Sequence, residues 1–367
     1  MAMRIAFVIA SLNSGGAERV IANLANCFVS QKDEIDLILF NDTIYYELDK
    51  RVRVHIIKED KRGVRYILDA SCRLRKELKK IAPEVVVSFL TEINVLSILA
   101  STGAPWKLIV SERNNPRVMP RKKYYRWLRT ALYPFCDAFV FQTKQAQEYF
   151  SKPIQKRSCI IHNPISEAAV EQTVGDNKKV FEIVSVGRLE PQKNFALLIN
   201  SFKQFHEKFC DSTLTIYGEG HLREDLENQI QSLSLEGVVT LPGNQKNVIE
   251  LIADKSAFVL SSDYEGMSNA LMEAMAVGLP CVSTDCPIGG SVELIQDHIN
   301  GLLVSVGNSE ELMQAMTELY EDHNLRNKLG NKAREILTTH SPEKISSEWR
   351  QWIEKINEGK MNENTFE

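Results

Sequence analysis

The chain has 367 residues, 44% of them hydrophobic and 25% charged, the profile of a globular protein long enough for two domains with separate cores. Its seven cysteines form no CxxC pair, which argues against a disulfide framework and for a reducing compartment. The net charge of −4 hides opposite halves: residues 1–175 hold 27 Lys and Arg against 18 Asp and Glu, a net of +9, and residues 176–367 hold 17 against 30, a net of −13. The first half is therefore the one suited to an anionic partner.

Arg4–Ala10 reads as a strand that runs into the loop Asn13–Gly16. This apolar start is too short for a membrane span and continues as a loop rather than a cleavage site. Gly16–Val29 follows with helical spacing, Val20, Ile21, Leu24 and Cys27 on one side. Ile35–Phe40, Val52–Ile57, Val85–Phe89, Leu108–Ser111 and Ala138–Gln142 are short β-rich runs, most of them separated by helical stretches. That alternation indicates a parallel sheet covered on both faces. A polar, weakly patterned stretch at 165–178 marks a boundary. A second unit then runs through Phe181–Val186, Leu214–Tyr217, Val238–Leu241, Ala257–Leu260, Cys281–Ser283 and Leu302–Val304. Ser341-Pro342 signals one last helix start, with Ile345, Trp349, Trp352 and Ile353 as its apolar face. The expected domains are 1–170, completed by a helix at about 341–357, and 178–340. The polar tail 358–367 is expected to be disordered.

The segment Glu265-Gly-Met-Ser-Asn-Ala-Leu-Met-Glu273 carries the most chemistry. A strand, a glycine turn and a helix start are expected in that order. The peptide N–H groups near Met267, Ser268 and Asn269 would then offer an anion site at a helix N-terminus. Eight residues at ~1.5 Å rise put the two carboxylates' backbones at most roughly 12 Å apart, about the reach of a nucleotide-sugar. Two solvated glutamates on a surface helix are the plain alternative. Upstream, Arg188 and Lys193 place a planar fork and a point charge after a strand, a pairing suited to phosphate and also common as surface charge.

Together these stretches resemble a known family. Glu265–Glu273 is similar to the E-x7-E signature of retaining glycosyltransferases. Gly278-Leu-Pro-Cys-Val-Ser-Thr-Asp285 matches the strand that follows it there, and Val184-Ser-Val-Gly-Arg-Leu-Glu-Pro-Gln-Lys-Asn194 matches the family's phosphate-binding loop. The resemblance runs from Arg4 to about Ile356 and points to a family 4 glycosyltransferase, most like those that extend lipid-linked surface glycans. It implies α/β architecture of the GT-B type: two Rossmann-like, doubly wound parallel-sheet domains facing a central cleft, the last helix crossing back to the first domain. It also implies roles. Glu265 orients the sugar, Glu273 and Gly266 to Asn269 bind the donor, and Arg188 and Lys193 neutralise the leaving diphosphate. Gly15 and Gly16, in a Gly-Gly turn that could be only a turn, lie beneath the donor phosphates.

Resembling enzymes often carry Ser-Glu-His where this chain has Ser111-Glu112-Arg113. The histidine's role does not transfer, and Arg113 is either an acceptor-phosphate ligand or a different local solution. Arg113, Arg117, Arg121, Lys122, Lys123, Arg126 and Arg129 form a basic run without an acid, interleaved with aromatics. From about Pro120 it fits an amphipathic helix at an anionic membrane surface, with a solvated face as the alternative. Nucleic acid is disfavoured, because no binding fingerprint accompanies the charge. Tyr217-Gly218-Glu219-Gly220 is expected to shape a turn, and Gly289–Glu293 to open another helix. No metal-ligand motif occurs, so no cofactor is expected.

The implied reaction moves a hexose or N-acetylhexosamine, N-acetylgalactosamine first, from a UDP-sugar to a polyprenyl-diphosphate-linked saccharide. The expected place is the cytoplasmic face of the cell membrane, with peripheral attachment. A UDP-sugar 2-epimerase of similar fold and a non-catalytic UDP-sugar-binding membrane adaptor are the other classes open to this sequence.

Overall fold

The computed structural model of the protein describes residues 2–13, 15–58, 64–170 and 180–360. The chain divides into two compact units, Met1–Pro164 with Pro342–Glu367, and Ile165–Ser341. Most of the tail expected to be disordered, residues 361–367, lies outside the described residues.

The first unit is built on seven parallel strands: β1 (Arg4–Ile9), β2 (Glu34–Leu39), β3 (Arg53–Ile56), β4 (Val85–Phe89), β5 (Lys107–Glu112), β6 (Ala138–Phe141) and β7 (Ser158–Ile160). Their order is β3-β2-β1-β4-β5-β6-β7. The second unit has β8 (Phe181–Val186), β9 (Ser212–Tyr217), β10 (Val239–Gly243), β11 (Ala257–Leu260), β12 (Cys281–Thr284) and β13 (Leu302–Val304), ordered β10-β9-β8-β11-β12-β13. The pairings are parallel throughout. Central strands such as β4, Val-Val-Val-Ser-Phe, are buried along their whole length, as a sheet covered on both faces requires. In each sheet the strand order reverses once, between β1 and β4 and between β8 and β11. Loops leaving the two strands at such a point diverge and open a crevice at the carboxyl edge, the usual ligand position in this architecture.

Twelve of the thirteen strands among the described residues coincide with β-rich runs in the sequence. The exception is β7, a three-residue edge strand, Ser-Cys-Ile, too short to show alternation.

The last helix, Pro342–Asn357, packs in the first unit. Its Ile345, Trp349, Trp352, Ile353 and Ile356 join the same core as Phe7, Phe28 and Phe89, and Trp349 stacks on Phe89 at 5.5 Å between ring centroids. Arg350 of this helix pairs with Asp33, whose side chain is fully buried and also accepts from the Met3 amide at 2.9 Å. Among the described residues no helix is long and apolar enough to cross a membrane.

Candidate active site

The crevice position of the second sheet is occupied by two loops, 187–194 after β8 and 261–268 after β11. They are fastened to each other along their length. Asp263 N donates to Gln192 O at 2.9 Å, and Ser261 Oγ to Lys193 O at 2.9 Å. Gln192 Nε2 reaches Tyr264 O at 2.9 Å and Glu265 Oε2 at 3.2 Å. Asn194 Nδ2 donates to Asp263 Oδ1 at 2.7 Å. Asn194 sits in the left-handed region at φ 45° and caps the helix Phe195–Lys208 through Leu197 N, a conformation asparagine tolerates better than most residues.

Glu265 is 6% exposed and is held at both oxygens. Oε1 accepts from Lys193 Nζ at 2.6 Å and Ser262 Oγ at 2.7 Å, and Oε2 from Gln192. Such charge-assisted bonds fix a carboxylate's direction. Gly187 makes room for this arrangement: a β-carbon there would lie 2.8 Å from Lys193 Cε, so the lysine stem crosses directly over the backbone. Arg188 differs from Lys193. Its side chain is 69% exposed and pairs with Glu190 at 3.0 Å.

The helix expected after the glycine turn is Asn269–Val277, capped by the Ser268 side chain accepting from Leu271 N. Met267 lies in the turn before it, and Glu273 lies within it, also 6% exposed. Gly266 O accepts from Gly290 N at 2.6 Å. A β-carbon on Gly290 would meet Met267 Cα at 2.9 Å, so the Cys286–Gly290 turn clamps the segment from the far side. Burial and then the Glu265 charge push the Cys286 thiol up to about 12, which keeps it neutral. The Tyr217–Gly220 turn backs the first loop, with Gly187 N donating to Tyr217 O and Leu189 N to Glu219 O, each at 2.9 Å.

In the first unit, Gly15 and Gly16 stand at the corresponding reversal point after β1. Gly15 is the N-cap of the helix Gly16–Ser30, and its carbonyl accepts from Tyr46 OH at 2.9 Å. Glu112 turns inward, accepting from Thr91 Oγ1 at 2.9 and 3.0 Å and from Tyr133 OH. Burial raises its pKa above the usual carboxylate range. Arg113 is buried next to it.

The basic run is thus not one surface. Arg129 is buried, donating to Pro116 O and Met119 O and lying over Tyr149 and Phe150, where it shapes the loop. Arg126 is half-buried and donates to Arg117 O at 3.0 Å. Arg117, Arg121, Lys122 and Lys123 are exposed, beside Tyr124, Trp127 and Phe135, which are 44%, 69% and 74% exposed. The helix itself is Lys123–Leu132.

Sequence reasoning did not single out Gln192 and Asp263, which lock the two loops, Ser262, which holds Glu265, Asn163, which accepts from Arg113, or Gln142, which donates to Asn163. Gln192 lies inside the Val184–Asn194 motif. Asp263, Gln142 and Asn163 have no local signal, because their partners are far away in sequence; Ser262 lies only three residues from Glu265, but a lone serine marks nothing by itself.

The family model described as glycosyl transferases group 1 matches residues 167–336, and the one described as glycosyltransferase family 4 matches residues 14–168. An N-acetylgalactosamine-N,N'-diacetylbacillosaminyl-diphospho-undecaprenol 4-alpha-N-acetylgalactosaminyltransferase of Campylobacter jejuni is 32% identical, over 90% of this chain and 94% of that one. The chain belongs to glycosyltransferase family 4. A second Campylobacter jejuni glycosyltransferase, an alpha-1,4-N-acetyl-D-galactosaminyltransferase acting on GalNAc-alpha-(1->4)-GalNAc-alpha-(1->3)-diNAcBac-PP-undecaprenol, is 29% identical over 96% of this chain and 99% of that one. Among solved structures, Anabaena HepE in complex with UDP superposes with a TM-score of 0.80 at 18% identity, covering 96% of this chain and all of that one. The sucrose-phosphate synthase of Thermosynechococcus elongatus gives 0.85 at 15% identity, covering 97% and 99%. The family 4 enzyme therefore has the GT-B fold, and it is a hexosyltransferase.

Proposed function

We propose that this glycosyltransferase moves N-acetylgalactosamine, or a related hexose or N-acetylhexosamine, from a UDP-sugar to a polyprenyl-diphosphate-linked saccharide with retention of configuration. The observation that carries the donor half is the fastened pair of loops at the reversal point of the second sheet, which presents Lys193 and Glu265 in contact at 2.6 Å. Glu273 takes the ribose hydroxyls and Glu265 the sugar hydroxyls. Lys193, Arg188 and the amides from Gly266 to Asn269 receive the charge that develops on the departing diphosphate, where fixed donors give the largest rate gains. Glu265 is anchored by Lys193, Ser262 and Gln192, an anchorage suited to orienting a hydroxyl rather than attacking carbon. We therefore favour front-side displacement, in which a donor phosphate oxygen takes the acceptor proton.

The names of the two Campylobacter relatives support a lipid-diphosphate acceptor. The exposed cations Arg117, Arg121, Lys122 and Lys123, flanked by Tyr124 and Trp127, suit an anionic membrane surface and support a reading of peripheral attachment at the cytoplasmic face. Titration calorimetry with UDP tests the donor site. The expected result is binding by the wild type that is lost in Glu273→Ala; equal binding by that variant removes the ribose role.

A further inference from the structure

Arg113 is 6% exposed, and no carboxylate among the described residues pairs with it. The neighbouring Glu112 faces away, toward Thr91 and Tyr133. Arg113 Nη2 donates to Asn163 Oδ1 at 2.5 Å. Among the described residues Nη1 has only Ser111 Oγ, at 3.5 Å, and the Nε–H is buried without an acceptor. The guanidinium lies over the Phe89 ring, 5.1 Å from its centroid. Asn163 Oδ1 also accepts from Gln142 Nε2 at 2.7 Å, and Gln142 Oε1 is buried with no partner. Burial alone pushes the guanidinium down to about 9, so it stays charged at neutral pH.

The surroundings are neutral amides and an aromatic face, which support the charge without compensating it. A buried charge with unmet donors is costly to keep, and it is relieved by an anion that supplies both charge and acceptors. Glu112 ends β5 and Arg113 directly follows it, while Gln142 and Asn163 follow β6 and β7. The cluster thus sits at the carboxyl edge of the first sheet, where ligands of such sheets bind. An arginine fork suits phosphate oxygens.

We propose that Arg113, set by Asn163 and Gln142 and backed by Phe89, binds one phosphate of the acceptor's diphosphate. This rests on the reading above that the acceptor carries a diphosphate. Among the described residues no counter-charge stands at this site, so acceptor binding completes a polar cluster rather than displacing an existing partner.

The test uses the full chain with farnesyl diphosphate and inorganic pyrophosphate as probes, and UDP as a report on the second unit. Arg113→Gln is expected to bind farnesyl diphosphate at least tenfold more weakly than the wild type, and Arg113→Lys to fail to restore it. Both should bind UDP as the wild type does. The unliganded Arg113→Gln protein should melt no lower than the wild type, since a buried unpaired charge has been removed. Binding of farnesyl diphosphate within twofold of wild type would overturn the proposal. So would a lower melting temperature with UDP binding weakened in parallel, the mark of a merely structural arginine. Pyrophosphate binding as tightly as farnesyl diphosphate would make this a free-anion site and overturn the lipid assignment. Loss of UDP binding by the wild type would instead sink the donor reading and leave the Arg113 comparison readable.

Discussion

Lys193 Nζ and Glu265 Oε1 lie 2.6 Å apart across 72 residues of sequence. The pair joins the loop after β8 to the loop after β11, and both side chains are largely buried, 14% and 8% exposed. A carboxylate placed this way is fixed before substrate arrives, which is what a site complementary to a transition state requires. Glu265→Gln keeps the size and one acceptor oxygen but removes the charge that orients Lys193. Transfer should fall by about a hundredfold, the usual loss for one preorganised polar contact, while UDP binding changes little. Initial rates and UDP calorimetry on the same preparation check this; unchanged transfer would remove Glu265 from the chemistry.

Asn194 supports that geometry from behind. It combines a positive φ of 45°, the cap on Leu197 N and the bond to Asp263. Asn194→Ala loses the cap and puts a less tolerant residue in the left-handed region. Those two effects amount to about 2 kcal/mol of stability. Urea denaturation measures it, and the donor KM should rise as the 261–265 loop loosens. A variant as stable as wild type would show that the cap contributes nothing here.

Much of this architecture is legible in the amino-acid sequence. Runs such as Val85–Phe89 and Phe181–Val186 announce buried parallel strands through their β-branched content, and the eight-residue step from Glu265 to Glu273 is local. What escapes the sequence is set by register between distant strands. β8 and β11 pair Ile183 with Ala257 and Val184 with Phe258, and that register alone brings Gln192 to Tyr264 and Asn194 to Asp263. The basic run is only partly legible for a related reason. Its seven charges are plain to read, but whether Arg113 and Arg129 point inward depends on Phe89, Tyr149 and Phe150, none of them among its immediate sequence neighbours.

The exposed half of that run carries the membrane reading. At about 1 kcal/mol for each cation near an anionic surface, replacing Arg121, Lys122 and Lys123 by glutamine should weaken binding to phosphatidylserine vesicles roughly a hundredfold. Trp127→Ser should weaken it further through lost apolar contact. Vesicle cosedimentation at rising salt reads both, and wild-type binding should fall steeply with ionic strength. Salt-insensitive binding, or none, would count against an electrostatic surface.

Arg350 ties the last helix to the rest of the first unit. It donates to the fully buried Asp33 side chain and to Gln31 Oε1 at 2.8 Å. Arg350→Met leaves the Asp33 carboxylate without its cation, a change that costs about 3 kcal/mol in buried pairs. Asp33→Asn in the same background should recover part of that loss. Additive rather than compensating effects in the double variant would show that the two side chains do not depend on each other.

The most direct test of the proposed reaction is a transfer assay with UDP-N-acetylgalactosamine and a polyprenyl-diphosphate-linked saccharide, following labelled sugar and free UDP together. One UDP should be released for each sugar added to the lipid-linked chain, with release nearly abolished in Glu265→Gln. UDP-sugar converted without UDP release, or full release in that variant, would contradict the proposed transfer.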